Sequence, residues 1–99
     1  ALYTDASGSP DQLVVQTSAA SIPEGQTELS VPQTRLEPGT YWIMGIYDFS
    51  TWVAVDGSTD NLIMYTSLTF GSALPTTFPT PSSYSSHYFN YYLRGYVVP

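Results

Sequence analysis

The chain has 99 residues, of which 42 % are apolar, 15 % aromatic and only 10 % charged, which predicts one packed domain spanning residues 1–99. Eight acidic residues against two arginines give a net charge of −6, and this excludes nucleic-acid binding, because phosphates must be neutralised by clustered cations. Anionic membrane surfaces are disfavoured for the same reason, and no apolar run reaches the roughly 18 residues that would span a bilayer.

Short β-branched and aromatic runs punctuated by Gly, Pro, Asp and Ser predict strands and turns along the whole chain. The cluster DASGSPD at 5–11 predicts a turn. LEPGT predicts a second turn, in which Pro38 presets φ and Gly39 takes the positive φ of a type II turn. The predicted strands are 1–4, 12–18, 27–32, 41–48, 52–55, 62–68 and 87–98.

The segment 41–48, YWIMGIYD, is apolar on both faces when it is read as a strand, which favours a central strand with Trp42 in the core wall.

The segment 71–86 carries three prolines and no strand period, and it is either a functional loop or an extended strap. These features predict an all-β fold, an antiparallel β-sandwich. Because the chain begins almost inside a strand, we expect that first strand to be incomplete or supplied by another segment or chain, leaving an unpaired edge.

The last predicted strand has two unlike faces. His87, Phe89, Tyr91, Leu93, Gly95 and Val97 share one face, which is typical of a core. The opposite face combines stiff aromatic rings with hydrogen-bonding groups, which favours recognition or self-association, although a cross-strand tyrosine ladder has the same pattern. Its members are Tyr88, Asn90, Tyr92, Arg94 and Tyr96. Trp52 lies beside the DFST turn, where its ring either faces a ligand such as a sugar or packs in the core.

The loop DGSTDN brings together the oxygens of Asp56, Ser58, Asp60 and Asn61. Alternating oxygen ligands in a tight loop suit Ca²⁺, but the distal glutamate of the EF-hand spacing is missing, and the same residues make a good hairpin turn. The turn DASGSPD has the same two interpretations. No other cofactor is expected.

Catalytic motifs are lacking in the sequence. It has no Cys or Lys for covalent chemistry, and neither G-x-S-x-G nor H-E-x-x-H occurs. His87 is the only histidine and falls on the predicted core face. Paired carboxylates for glycoside hydrolysis would be invisible at this level, but the chain is small for a substrate cleft. We therefore expect a protein that is not an enzyme.

Two segments of the first half carry a resemblance. LYTDASGSP, followed some thirty residues later by LEPGTYW, resembles a recurrent β-sandwich module of large secreted and cell-surface bacterial proteins, in which an L/I-Y-x-D-x-x-G-x-P turn precedes an L-x-x-G-T-Y-W strand. The resemblance implies a jelly-roll-like fold, similar to carbohydrate-binding and pre-peptidase-type accessory domains. It also implies structural roles for the matching residues, which are Leu2, Tyr3, Asp5, Gly8, Pro10, Leu36, Gly39, Thr40, Tyr41 and Trp42.

Two functions are open at this point. The first is a non-catalytic extracellular binding or adhesion module, with a polysaccharide or surface glycan held by Trp52 and the outward tyrosines. The second is a structural subunit of a fibre, coat or surface layer that associates with copies of itself or with other domains. An acidic surface rich in Ser, Thr, Tyr, Gln and Asn and free of Lys is typical of secreted bacterial modules, so both functions place the chain outside the cell or on its surface.

Overall fold

The computed structural model describes residues 1–48, 55–57, 63–84 and 87–97. Within these residues the protein is all-β, with no helix, and every strand pair is antiparallel. One sheet has three strands in the order β2-β1-β3, and two further pairs are β4-β7 and β5-β6. The strands are β1 (Leu2–Ala6), β2 (Ser9–Val15), β3 (Tyr41–Ile43), β4 (Val55–Gly57), β5 (Ile63–Tyr65), β6 (Ser82–Tyr84) and β7 (His87–Phe89).

A tight hairpin joins β1 to β2. Ser7 and Gly8 have φ values of 52° and 86°, and Ala6 pairs with Ser9 across the turn. Positive φ at both central residues is the mark of a type I′ turn, whose twist matches that of the flanking strands. The carboxylate Oδ2 of Asp5 accepts a hydrogen bond from the Gly8 amide at 3.3 Å. The turn predicted within 5–11 is thus confirmed.

Strand β1 is the centre of the three-stranded sheet and pairs with a strand on each side. Leu2 and Tyr3 are the buried hydrophobic residues of the described chain, with exposed fractions of 3 % and 0 %. Tyr3 pairs with Trp42 of β3 and with Leu13 of β2. The unpaired edge expected at the first strand is therefore wrong, because both neighbours hydrogen-bond to it.

The segment 75–78 runs along the outer edge of β2 as a strap. The Leu13 amide donates to the carbonyl of Thr76 at 2.8 Å, and the Phe78 amide donates to the carbonyl of Asp11 at 2.7 Å. Tyr3 Oη donates to the carbonyl of Pro75 at 2.8 Å, and its ring meets Phe78 edge to face with centroids 5.0 Å apart. Of the two interpretations of 71–86, these contacts fit the strap.

Several predicted strands are shorter than expected, and one does not form. β3 ends at Ile43 and β7 at Phe89, while 27–32 is an exposed loop without strand pairing. A strand needs a partner for its backbone groups, and the described residues offer none beside 27–32. Gly39 also lacks the positive φ of a type II turn. Beyond β7 the expected core face is lost, since Leu93 and Val97 are exposed.

Candidate functional site

An open cleft of about 1410 Å³ lies between the loop that follows β2 and the segments that follow β3 and β7. Its lining includes the residues that directly follow the ends of β3 and β7. Most of its lining comes from 16–20, 22–27, 43–47, 70–72 and 90–92. The cleft therefore joins residues from both halves of the sequence.

A pair of tyrosines forms part of the cleft wall. The hydroxyls of Tyr47 and Tyr91 hydrogen-bond at 2.6 Å, and the Tyr91 ring stacks on Phe89 with centroids 5.6 Å apart and planes 16° apart. Burial, then the hydrogen bond to Tyr47 and the charge interaction with it, raise the pKa of Tyr91 well above its usual value. Tyr91 therefore keeps its hydroxyl proton at any physiological pH.

Gly45 makes room for this tyrosine pair. A Cβ at position 45 would lie 2.7 Å from Tyr91 Oη, closer than side-chain carbons pack, and 3.1 Å from Tyr47 Oη, which is a tight contact. A glycine inside an apolar run often marks such a close approach of another group to the backbone. Because Gly45 has no side chain, both phenols can approach its backbone at the cleft wall.

The loop wall is tied to the C-terminal segment by a polar cluster around Tyr92. Gln26 Nε2 donates to Tyr92 Oη at 2.9 Å, and Tyr92 Oη donates to Glu28 Oε1 at 2.8 Å. The same oxygen of Glu28 meets the guanidinium of Arg94 at 2.7 Å. One carboxylate thus receives two donors and fixes the loop against the segment after β7.

Charge in and around the cleft is unsuited to an anionic ligand. The two arginines are the chain's only Lys or Arg residues, and each is paired with a glutamate, Arg94 with Glu28 and Arg35 with Glu37. Glu24 adds a carboxylate to the lining. A phosphate or sulfate group would therefore meet no free guanidinium here, whereas an uncharged ligand requires no neutralisation.

The structure brings together part of the face predicted for recognition on the last strand, the residues 88, 90, 92, 94 and 96. Asn90 and Tyr92 line the cleft, and Arg94 joins them through Glu28. Tyr96 is 95 % exposed and is not part of the cleft lining. The strand predicted for 87–98 is shorter than expected, because β7 ends at Phe89. The side chain of Tyr88 and the whole of Trp52 lie outside the described residues.

Three residues of the predicted calcium loop, Ser58, Asp60 and Asn61, also lie outside the described residues. The side chain of the fourth, Asp56, is not described either. Calcium at this loop stays a prediction. In the other turn, Asp5 is occupied by protein donors, since its two oxygens accept hydrogen bonds from the Gly8 amide and the Trp42 indole. Across the residues that the structure describes, no three His, Cys or acidic side chains group to hold a metal ion.

The sequence analysis missed three cleft residues, Gln26, Tyr47 and Tyr91. It also missed Glu28, which binds Tyr92 and Arg94 beside the cleft. Tyr91 falls on the predicted core face, and Glu28 falls in a predicted strand, so neither carried a signal for the site. Gly45 did carry one, because an isolated glycine in an apolar strand is unusual.

Comparisons with protein-family models, with curated proteins and with solved structures find no match to this chain. In the described ranges, no helix has the length and apolar character needed to cross a membrane.

Proposed function

We propose that the chain is a non-catalytic extracellular binding module that holds a neutral carbohydrate in the cleft. The observation that carries this proposal is the grouping of Tyr91 and Tyr92 with the side-chain amides of Asn90 and Gln26 along one cleft. Aromatic rings offer apolar area to the C–H faces of sugars, and amides both donate to and accept from hydroxyl groups. A mostly apolar wall with a few placed polar groups is the usual form of a small-molecule site.

The charges narrow the ligand class. Both arginines are paired with glutamates and the net charge is −6, so an acidic polysaccharide would be repelled and would find neither arginine free. Neutral hexose or pentose chains suffer neither penalty. An open cleft also suits a polymer, because part of a long ligand can lie outside it.

The fold and location form part of the same proposal. We propose that the three antiparallel sheets belong to a jelly-roll-like sandwich and that the module works in secreted or cell-surface proteins. The acidic, Lys-free composition supports the location. The LYTDASGSP and TYW segments, on which the resemblance to the bacterial module rests, pair in one sheet, and this supports the proposed fold.

The test is a screen of the purified chain against immobilised neutral and acidic glycans, followed by calorimetry on the best ligand. Asn90→Ala and Tyr92→Ala are expected to weaken binding about tenfold each, as removal of a central contact usually does. Tyr96→Ala is the matched control, because it removes an equally large ring that lies outside the cleft lining. Trp52→Ala tests the remaining predicted ring.

Three results would contradict the proposal. They are the absence of binding to any neutral glycan, a preference for acidic glycans, and an equal loss of affinity in the Tyr96 control. Loss of binding in Trp52→Ala with full binding in the Asn90 and Tyr92 variants would move the site away from the cleft.

A further inference from the structure

The β2–β3 loop, residues 18–40, supplies one wall of the cleft through 18–20, 22–27 and Leu29. Every residue of the loop is exposed except Thr27, which is half-buried. Its large apolar side chains do not anchor it, since Ile22 is exposed to 55 % and Val31 to 44 %. Within the described chain, no hydrogen bond between backbone groups connects the loop to another segment.

Side chains hold the loop against the segment after β7 at one place. Gln26 and Glu28 bond to Tyr92, and Glu28 also pairs with Arg94 at 2.7 Å. The other hydrogen bonds and the ion pair that the structure shows for the loop stay within 32–41. The bonds to Tyr92 and Arg94 are exposed to solvent. Exposed ion pairs contribute little to stability, so this contact can break while the sheets stay folded.

Thr27 opposes the contact from its centre. Its hydroxyl is buried and has no hydrogen-bond partner in the part of the chain that the structure describes. Burial of such a group costs free energy, and contact with water removes that cost. Thr27 lies between the two residues that bond to Tyr92, so separation of the loop from Tyr92 returns the hydroxyl to water.

We propose that the β2–β3 loop is a gate of the cleft, which opens when residues 26–28 leave Tyr92 and Arg94. A few exposed polar bonds hold the gate closed, and hydration of the Thr27 hydroxyl favours the open state. Such opposed contributions leave both states accessible, and a ligand shifts the balance toward the state that it binds better.

The effect of a ligand on the gate rests on the proposed carbohydrate function, whereas the opening itself does not. Gln26 stands on the loop, and Asn90 and Tyr92 stand on the segment after β7. A sugar chain that contacts both walls gains both sets of contacts only when the gate is closed. Ligand binding therefore favours the closed gate.

The experiment measures how fast iodoacetamide alkylates a cysteine at position 27. The chain has no cysteine of its own, so Thr27→Cys introduces a single thiol, which the closed gate shields. Thr34→Cys gives the unshielded rate, because Thr34 is an exposed threonine of the same loop. The thiol of Thr27→Cys is expected to react more slowly than that of Thr34→Cys.

Glu28→Ala in the Thr27→Cys chain is expected to raise the alkylation rate about fivefold, because it removes the carboxylate that binds Tyr92 and Arg94. Glu37→Ala is the matched control. It breaks the loop's other exposed ion pair, which lies within the loop, and should leave the rate unchanged.

Asp5→Ala separates opening of the gate from unfolding of the whole chain. It removes the bond between β1 and β3 and should lower the free energy of unfolding without changing the alkylation rate of Thr27→Cys. Equal acceleration by Asp5→Ala or by Glu37→Ala would overturn the gate. Equal rates for Thr27→Cys and Thr34→Cys would overturn it too, because the loop would then not be held closed.

A neutral oligosaccharide that binds in the glycan screen is expected to slow the alkylation of Thr27→Cys. An unchanged rate at saturating oligosaccharide would overturn the link between the ligand and the gate. Failure to bind any neutral glycan would overturn the proposed function instead, and the rates measured without ligand would still decide whether the gate exists.

Discussion

Asp5 fixes Trp42 across the three-stranded sheet, with the indole Nε1 donating to Asp5 Oδ1 at 2.8 Å. The second carboxylate oxygen of Asp5 accepts from the Gly8 amide in the hairpin turn. One side chain therefore connects the β1–β2 turn to β3, and it does so between two segments that are 37 residues apart in sequence.

Asp5→Ala is expected to lower the free energy of unfolding by about 2 kcal/mol, because it removes two hydrogen bonds to a carboxylate and leaves the indole N–H without its partner. Urea unfolding followed by tryptophan fluorescence measures the change. Asp5→Asn keeps an acceptor oxygen and should lose less. Asp11→Ala is the control, because the Asp11 carboxylate accepts only an exposed hydrogen bond from the adjacent Gln12 side chain, and it should stay within about 0.5 kcal/mol of the parent. Equal losses in the Asp5 and Asp11 variants would contradict this role.

Gly45→Ala is expected to destabilise the protein by about 1–3 kcal/mol, since the new methyl group overlaps Tyr91 Oη and the tyrosine pair must move. Tyr91→Phe in the same chain should recover part of the loss, because it removes the nearest atom. Gly39→Ala is the matched control, as its added carbon meets nothing within 4 Å. A thermal unfolding series compares all four chains, and a harmless Gly45→Ala would show that the pair is not constrained.

Alkaline pH is expected to destabilise the fold through Tyr91. Its pKa is raised in the folded protein by burial and by the bond to Tyr47, while in the unfolded chain it has the ordinary value of about 10. The contribution of Tyr91 to the free energy of unfolding is complete below a pH of about 10. It is lost as the pH rises toward the raised pKa of the folded protein, because Tyr91 loses its proton first in the unfolded chain.

Urea unfolding at a series of pH values above neutrality tests this dependence. Tyr91→Phe should flatten the fall in unfolding free energy, although burial also raises the pKa of Tyr3, so some slope will persist. A Tyr91→Phe chain with the full slope of the parent would show that another group is responsible.

Tyr3→Phe is expected to loosen the strap by about 1 kcal/mol, because the bond from its hydroxyl to the Pro75 carbonyl is lost while the ring remains. Hydrogen exchange at the Leu13 and Phe78 amides should then accelerate, since both donate within the strap. The control is Tyr41→Phe, which removes an exposed hydroxyl bound to the Glu37 carbonyl. Faster exchange of the two strap amides in that control would contradict the assignment.

Thr27→Val is expected to leave stability unchanged or raise it by up to about 1 kcal/mol. The Thr27 hydroxyl is buried and has no hydrogen-bond partner among the described residues. Burying a hydroxyl without a partner costs free energy, and an apolar group of the same shape avoids this cost. Thr34→Val should instead be neutral or destabilising, because Thr34 Oγ1 donates to the Pro32 carbonyl at 2.8 Å. Differential scanning calorimetry compares the two, and a marked loss in Thr27→Val would reveal a partner for its hydroxyl.

Local patterns predicted local structure well. The Ser-Gly hairpin turn and the all-β class follow from residues that lie near each other in sequence, where turn chemistry and strand period act directly. The strap along β2 was one of two interpretations of its prolines, and only the contacts of Tyr3 with Pro75 and Phe78 decide between them.

The cleft could be predicted only in part, because it depends on where strands end. Asn90 and Tyr92 were identified for their chemistry, but their neighbours Tyr47 and Glu28 come from distant segments that no periodicity connects. Strand length was overestimated at β3 and β7, since an apolar run predicts a strand without showing whether a partner strand lies beside it.

The contact between Tyr3 and Pro75 sets the order in which the molecule can fold. The side chain of Tyr3, which is fully buried, is covered by a segment 72 residues further along the chain. Closing so long a loop costs chain entropy before any burial compensates it, which makes folding slow. During synthesis the β1–β2 hairpin therefore leaves the ribosome long before the strap. The Tyr3 ring then stays exposed to solvent and to chaperones until the strap, residues 75–78, has emerged.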